Sequence, residues 1–345
     1  MKTLLLIPIL FFLVIPVSAL ELEAPPVPEA AEEWMPGNTA SFGAGLTELA
    51  EKLLTLLYPE VQEAAKVCLS VLAAAMLLAV VKLFSGMEGG MVRLAGAVAP
   101  AMLLFGSSNV LIQLSSETIR ELIDYGKLLF PVMSAALAAQ GGVSTSAALY
   151  AGTTIFDLFL GSLLTNLLIP LIYLFLSLSV GYAATGEGFL KRLKELIKSI
   201  CVWCLKTTVT VFTAYMSITG VISGTTDAAA LKATRMTIST AVPVVGGILS
   251  DASEAVLVSA GLLKNATGIY GILAILAVLL EPFVRIGVQY LLLKFTAALC
   301  VVFSEGSFAD LTEDFSSGMG LLLAITGSVC LMLLVSTVCF MKGVG

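Results

Sequence analysis

The sequence contains no histidine and has few charged residues for its length. Of its 345 residues, 12% are Asp, Glu, Lys or Arg and 58% are hydrophobic, whereas a soluble domain carries about 25% charged residues. So few charged side chains cannot cover a surface that faces water, and the remaining apolar surface must contact lipid. The lack of histidine excludes histidine-based zinc sites, serine–histidine–aspartate triads and histidine proton relays. We expect no enzymatic activity, no metal and no cofactor.

The cysteines and aspartates form no recognisable redox or catalytic pattern. Cys201 and Cys204 have redox spacing but lack a thioredoxin-like context, so we interpret them as part of an interfacial helix turn. Asp157 and Asp251 invite comparison with aspartyl intramembrane proteases, but Ser250 stands where that motif requires glycine. The cysteines lie in or beside apolar stretches and do not resemble a disulfide framework. No Walker loop is present, so an ATP-driven step requires a partner. The cysteines are residues 68, 201, 204, 300, 330 and 339.

Residues 1–19 have the pattern of a secretory signal peptide. Lys2 supplies a positive charge, an apolar stretch follows that is short for a spanning helix, and Ala19 ends a small-residue cleavage site. A retained membrane anchor is the alternative. Cleavage after Ala19 places the mature N-terminus outside the cytosol.

The next segment, 20–66, is predicted to be an exported acidic linker followed by an amphipathic helix. Residues 21–63 contain nine Glu and one Lys, whereas the rest of the mature chain is nearly neutral. The overall acidity therefore belongs to one segment, and it argues against nucleic-acid binding. Residues 24–38 are rich in Pro and Glu and are expected to be extended. Leucines at helical spacing from Leu46 to Leu57 predict a surface helix that ends at Pro59.

Residues 67–345 are predicted to form a helical membrane domain. The fold class is all-α, a polytopic bundle of about seven transmembrane helices (six to eight), with amphipathic interfacial helices and a possible internal repeat. The stretch 131–151 is rich in small residues and fits either a re-entrant half-helix or a buried span. The expected spans are 67–84, 94–114, 153–182, 200–222, 241–263, 268–293 and 319–341.

Positive charges orient these helices, because Lys and Arg near spans favour the cytosol. The strongest cluster lies in 189–200, where apolar residues share one helix face and basic residues the other. We interpret this segment as a helix lying at the cytosolic headgroups, which either anchors the chain or docks a cytosolic partner. The candidate docking residues are Lys191, Arg192, Lys194 and Lys198. Lys232 and Arg235 would lie outside in a seven-span arrangement, against the charge rule.

Prolines mark candidate helix breaks and also suggest an internal repeat. Pro131 matches Pro243 and Pro170 matches Pro282, both at an offset of 112 residues. Proline removes a helix hydrogen bond and crowds the preceding turn. A true repeat requires 131–151 and 243–262 to share a fold, whereas the seven-span prediction treats the two segments differently.

Four charged residues inside apolar stretches are candidate polar or pathway residues. Glu281 and Arg285 are four apart in the favourable helical order and are expected to pair. Intramembrane charge is costly and marks function by default, so structural pairing and a polar pathway both remain open. Asp251 and Glu254 share a helix face and are consistent with a cation site or with a loop.

Three runs resemble the stage III sporulation protein AE family. They are Tyr125 to Pro131 with Gln140 to Ser146, then Thr240 to Val256, and then Lys264 to Gly268 with Glu281-Pro282. The resemblance covers about 120–341, and the order of signal peptide, acidic segment and spans agrees with it.

This resemblance implies a non-enzymatic subunit of a secretion or feeding channel between mother cell and forespore, needed for late forespore development. The chain would lie in the mother-cell-derived membrane around the forespore and contact membrane lipid. Its expected partners are the other subunits of the stage III complex, including a cytosolic secretion-type ATPase and ring-forming subunits. The alternatives are a stand-alone secondary transporter that uses the intramembrane acids, and a purely structural scaffold.

Overall fold

The structure, a computed structural model, is helical throughout the regular elements that it describes. It describes residues 25–39, 41–85, 90–241, 246–303 and 307–342; inside the helices, the side chains of 30, 82–85, 90–93, 95–96, 217, 219–241, 246–263, 303 and 307 are not described. The helices are α1 (Glu29–Glu32), α2 (Phe42–Ser85), α3 (Gly90–Ala139), α4 (Val143–Leu163), α5 (Ile169–Thr185), α6 (Gly188–Ala241), α7 (Gly246–Phe303) and α8 (Ser307–Lys342), with a π-helical segment Leu164–Leu168 between α4 and α5.

Six stretches of the described chain are long and apolar enough to cross a membrane. Together they confirm the predicted polytopic helical membrane bundle and lie within the expected range of six to eight spans. The expected span 241–263 lies outside the residues whose side chains are described. The six stretches are Phe42–Val81, Ala97–Ala139, Val143–Thr185, Gly188–Met216, Lys264–Val302 and Phe308–Lys342.

Helices α7 and α8 form the centre of the described bundle. In the most apolar part of each, 61% of residues are buried inside the protein, against 22% for α2 and 28% for α6. The remaining surface of α2 and α6 is therefore available to lipid. Helix α8 packs against α3, α5 and α6 as well as α7.

Aromatic and hydroxyl contacts show that α3 and α8 run parallel. Phe105 meets Phe315 edge to face at 5.2 Å, and Phe130 stacks on Phe340 at 5.7 Å. Between these pairs, the hydroxyls of Ser115 and Thr326 are 2.7 Å apart and hydrogen-bonded. The contacts advance together along both helices, so the two run in the same direction.

Two glycines with positive φ reverse the chain, as left-handed residues do at helix ends. Gly141 has φ 98°, and the N–H of Gly142 donates to the carbonyl of Leu137, which closes a Schellman-type end to α3. Gly186 has φ 74° and donates its N–H to Tyr182, which ends α5. The stretch 131–151 is therefore a helical hairpin formed by the end of α3 and the start of α4. It is therefore not one buried span, and a re-entrant arrangement stays a prediction.

Several predicted helix ends do not occur. The prediction that Pro59 ends the amphipathic helix is wrong, because α2 continues through it for 44 residues. Pro131 and Pro282 also lie inside continuous helices. Proline is tolerated there because neighbouring helices can satisfy the backbone groups that it frees.

Pro170 is the proline that coincides with an irregularity. It is the second residue of α5 and follows the π-helical segment. The wider π turn relieves the crowding between the proline ring and the preceding turn. Pro282 shows no such segment, so the two members of the proposed repeat differ in their backbone. Pro243 lies outside the described residues, and the side chains of 246–262 are not described, so the repeat stays a prediction.

The acidic segment is folded against α2 and is not fully extended as expected. Glu48 accepts hydrogen bonds from the N–H of Gly37 at 3.0 Å, and Lys52 donates to the carbonyl of Met35 at 2.8 Å. Ala31 in α1 is fully buried. Residues of α2 thus hold the short helix and the turn that follows it. The predicted signal peptide lies outside the described residues.

The segment 189–200 was predicted to be a separate helix, but it is the start of α6, which has 54 residues. Its position at the headgroups stays a prediction. Phe189 and Leu196 remain exposed, while Lys194 and Ile197 face the bundle and are buried. Lys194 points into the bundle because it forms an ion pair with Asp314 on α8.

A glycine on α7 tests the close packing of α3 and α7. A Cβ at Gly271 would lie 2.7 Å and 2.9 Å from the methyl carbons of Leu129, whereas a Cβ at Gly287 meets nothing within 4 Å. We expect Gly271→Ala to destabilise the protein by about 1–3 kcal/mol through overpacking. Gly287→Ala should be neutral or stabilise by up to about 1 kcal/mol through helix propensity.

Thermal unfolding of both variants in the same detergent measures the difference. Equal melting temperatures for the two variants would show that α3 and α7 are not packed this closely.

Candidate functional site

Apart from Lys264, which is buried and donates a hydrogen bond to Gln140, the described charged residues inside the bundle gather in three places. One is a recess between α2, α3 and α7, the second joins α5, α6 and α8 near the start of α6, and the third lies between α3 and α4. Charges buried among apolar helices need partners, and the first two places show how the fold supplies them.

The first place contains the predicted pair of Glu281 and Arg285. Nη1 of Arg285 lies 2.9 Å from Oε1 of Glu281, which agrees with the expected pairing across one helical turn. Nε of the same guanidinium lies 3.4 Å from Oε2 of Glu60 on α2. The ion pair therefore links two helices. The sequence could not show the second partner, because Glu60 is more than 200 residues away and was assigned to the exported segment.

Glu60 and Arg285 line a cavity of about 180 Å³, which we call the polar recess. Gln289, one helical turn after Arg285, is 4% exposed and lines the recess. Positions 281, 285 and 289 are four residues apart and lie on one face of α7. This spacing could have predicted from the sequence that Gln289 lies beside the ion pair. The lining residues are Glu60, Glu63, Ala64, Val67, Ser107, Val110, Leu111, Arg285 and Gln289.

The second place, the inner polar cluster, is defined by Tyr182, Lys194, Lys198, Asp314 and Ser317. Lys194 forms an ion pair with Asp314, whose side chains are only 7% and 15% exposed. Nζ of Lys194 also lies 4.8 Å above the ring centre of Tyr182. Lys198 donates to the hydroxyl of Ser317 at 2.9 Å. The cluster joins α5, α6 and α8 through charge.

This cluster divides the predicted docking residues into two groups. Lys194 and Lys198 are engaged inside the protein, whereas Lys191 and Arg192 are exposed. Lys191 and Arg192 are therefore more accessible to a partner than the buried Lys194 and the partly buried Lys198. The sequence pattern could not make this distinction, because it depends on Asp314, which is 120 residues away along the chain.

The third place surrounds Asp157 on α4. This residue is 8% exposed and lines a cavity of about 140 Å³ together with Lys127 and Tyr150. Lys127 itself pairs with Asp124 at 2.7 Å on the exposed side of α3. Asp157 therefore lies deep between two helices. Asp251 and Glu254 lie outside the residues whose side chains are described.

Within the described chain, no group of three or more His, Cys, Asp or Glu side chains is placed to hold a metal ion. None of the six cysteines, all within the described chain, forms a disulfide, and four of them are buried. Cys201 and Cys204 both lie in α6, the former buried and the latter partly buried. The polar contacts between helices at the first two places are therefore ion pairs and hydrogen bonds.

The inner polar cluster predicts a large difference between two lysine substitutions. Lys194→Met should destabilise the protein by about 3–5 kcal/mol, because it leaves the buried Asp314 carboxylate without its partner. Adding Asp314→Leu to that variant should recover much of the loss. Lys294→Gln breaks the pair with Glu313, whose side chains are 52% and 42% exposed, and should cost no more than about 1 kcal/mol.

Denaturant titration in detergent micelles measures these free energies of unfolding. Similar losses for Lys194→Met and Lys294→Gln, or no recovery in the double variant, would contradict a buried pair at Lys194.

Comparison with known proteins shows which family the chain belongs to. The family model described as stage III sporulation protein AE matches residues 35–343, which include α2 to α8. Stage III sporulation protein AE of Bacillus subtilis (strain 168) is 26% identical over 236 residues, which make up 68% of this chain and 59% of that protein. The match thus spans about three fifths of the relative's length. No solved structure matches. Since the family model extends over almost the whole chain, this polytopic membrane protein belongs to the stage III sporulation protein AE family.

Proposed function

We propose that this chain is a non-enzymatic membrane subunit of the channel that joins mother cell and forespore, needed for late forespore development. The observation that carries the proposal is the family match over residues 35–343, which extends through every candidate span of the described bundle. Family membership places the chain in sporulation as a membrane component. The channel and its non-enzymatic character are inferences from that membership and from the absence of histidine.

The packing of the described bundle supports a role in an assembly. Side chains along the α3–α8 contact, including Tyr125, Phe130, Phe315 and Phe340, are at most 1% exposed. A conduit for a polar solute does not fit through such a contact. We therefore expect any channel to form between this subunit and other subunits. The proposed partners are a cytosolic secretion-type ATPase and ring-forming subunits of the same complex.

The proposed orientation places the mature N-terminus outside the cytosol, in the mother-cell-derived membrane around the forespore. The basic residues Lys191 and Arg192 would then face the cytosol, as positive charges near spans favour. They are exposed beside the apolar residues Phe189 and Leu196. This surface combines charge with apolar area, which suits a cytosolic partner at the membrane.

A stand-alone secondary transporter is the second candidate, and the polar recess is the observation that favours it. Its charged residues lie among apolar helices, as ion-pathway residues do in transporters. Purified protein in liposomes distinguishes the two candidates. Solute uptake driven by an ion gradient in the absence of other subunits would support the transporter.

A complementation experiment tests the sporulation role. Deletion of the gene should block development after engulfment, and counts of heat-resistant spores should fall by orders of magnitude. Wild-type protein should restore them. Lys191→Glu combined with Arg192→Glu should restore far fewer, because charge reversal repels an acidic partner surface.

Lys66→Glu provides the matched control, since Lys66 is exposed on α2 away from this surface. Normal spore counts in the deletion strain would refute the sporulation role. Equal counts for the double variant and the Lys66 variant, both present in the membrane, would refute docking at Lys191 and Arg192.

Chemical labelling tests the orientation independently. Cysteine substituted at the exposed Glu33 should react with a membrane-impermeant maleimide added to intact vegetative cells that are made to produce the protein in their plasma membrane. Cysteine at the exposed Lys191 should react only after the membrane is opened. The wild-type chain, whose thiols are buried or partly buried, gives the background. The reverse pattern would place the basic surface outside the cytosol.

A further inference from the structure

Gln289 indicates that the polar recess holds a ligand. Its side chain is 4% exposed and lines the recess. Its Nε2 has no hydrogen-bond partner within the part of the chain that the structure describes. Native proteins satisfy nearly all buried polar groups with protein or ordered water, because an unpaired donor in apolar surroundings is costly. The amide thus calls for a polar occupant.

The charges around the recess determine whether it binds a cation or an anion. Glu60 and Glu63 line it from α2, and the Glu60 carboxylate interacts electrostatically with Arg285, Glu63 and Glu281. Three acidic side chains thus lie near one guanidinium, so the surroundings of the recess carry a net negative charge. The side chain of Glu60 is only 17% exposed, so water screens it weakly. Such a site attracts cations and repels anions.

The size of the recess suits a cation that keeps part of its water. A volume of about 180 Å³ corresponds to about six water molecules at roughly 30 Å³ each. Carboxylate, hydroxyl and amide oxygens are ligands that hard cations prefer, and Ser107 adds a hydroxyl to the lining. A fully dehydrated carboxylate cage does not fit, since no three His, Cys, Asp or Glu side chains among the described residues are placed to hold a metal ion together.

We propose that the polar recess binds a small, partly hydrated inorganic cation between α2, α3 and α7. The carboxylates of Glu60 and Glu63 supply the charge. The amide of Gln289 contacts a water molecule of the hydration shell or, after a half-turn about its last bond, the ion itself through its oxygen. This site is distinct from the basic docking surface at Lys191 and Arg192. Its occupancy would fasten α2, the helix that packs least into the bundle, to α3 and α7.

Cation-dependent thermal unfolding of the full chain in lipid nanodiscs tests the proposal. Unfolding exposes the buried thiols of Cys68, Cys201, Cys300 and Cys330, so a thiol-reactive fluorophore reports the melting temperature. Sodium, potassium, magnesium and calcium chlorides are titrated separately, and N-methylglucamine chloride holds the ionic strength constant. We expect at least one of the four ions to raise the melting temperature saturably, because a ligand that binds only the folded state stabilises it.

Two variants test whether the cation-dependent rise in melting temperature arises at the recess, and a third is the control. Glu63→Gln keeps the shape of an exposed side chain and should raise the half-saturating ion concentration about tenfold, since it removes one of the attracting charges. Glu51→Gln makes the same change on the exposed surface of α2 outside the recess, and should leave that concentration within about twofold of wild type. Gln289→Leu should abolish the response, yet melt at or above wild type in cation-free buffer, because the unpaired donor is gone.

Two results would overturn the proposal. The first is the absence of a saturable shift with any of the four ions. The second is an equal response of the Glu63 and Glu51 variants, which would assign the shift to general screening of the acidic segment. A Gln289→Leu variant that retains the wild-type response would show that the Gln289 amide is not part of the cation site. Normal sporulation in a cation-insensitive variant would leave the proposed channel role intact, so the two proposals can fail separately.

Discussion

Lipid offers no hydrogen-bond partner, and this constraint governs the structure. Every backbone group within an apolar stretch must bond inside its own helix or barrel, so a chain with this composition folds into long helices. Hydroxyl side chains follow the same rule, because Thr118, Ser179 and Thr312 each donate to the carbonyl four residues earlier. Groups that cannot be satisfied within their own helix determine which helices meet. Arg285 joins α7 to α2, and Lys194 joins α6 to α8.

Much of the helical architecture could be predicted from local sequence. Apolar stretches of spanning length and the Glu281–Arg285 pair depend on spacing within one helix, and the structure contains both. Proline was a poorer guide, since α2 continues through Pro59. In a soluble helix the lost hydrogen bond and the crowding would favour an end there, whereas packing against neighbouring helices overrides that preference here.

The features that sequence reasoning missed all depend on distant partners. Lys194 was assigned to a water-facing surface because its neighbours are basic, yet Asp314 draws it inward. Glu60 was placed in an exported segment, although it pairs with α7. Helical periodicity identifies the face on which a residue lies but not the helix that covers that face. The family resemblance was confirmed by the match over residues 35–343 because it rests on several runs spread along the chain.

The continuity of α2 has a mechanical consequence. Its N-terminal turns hold the folded acidic segment through Glu48 and Lys52, and the same uninterrupted helix of 44 residues extends about 66 Å to Ser85. A rod of this kind transmits displacement along its axis, whereas a hinge at Pro59 would have absorbed it. A force applied to the acidic segment would therefore displace the far end of α2.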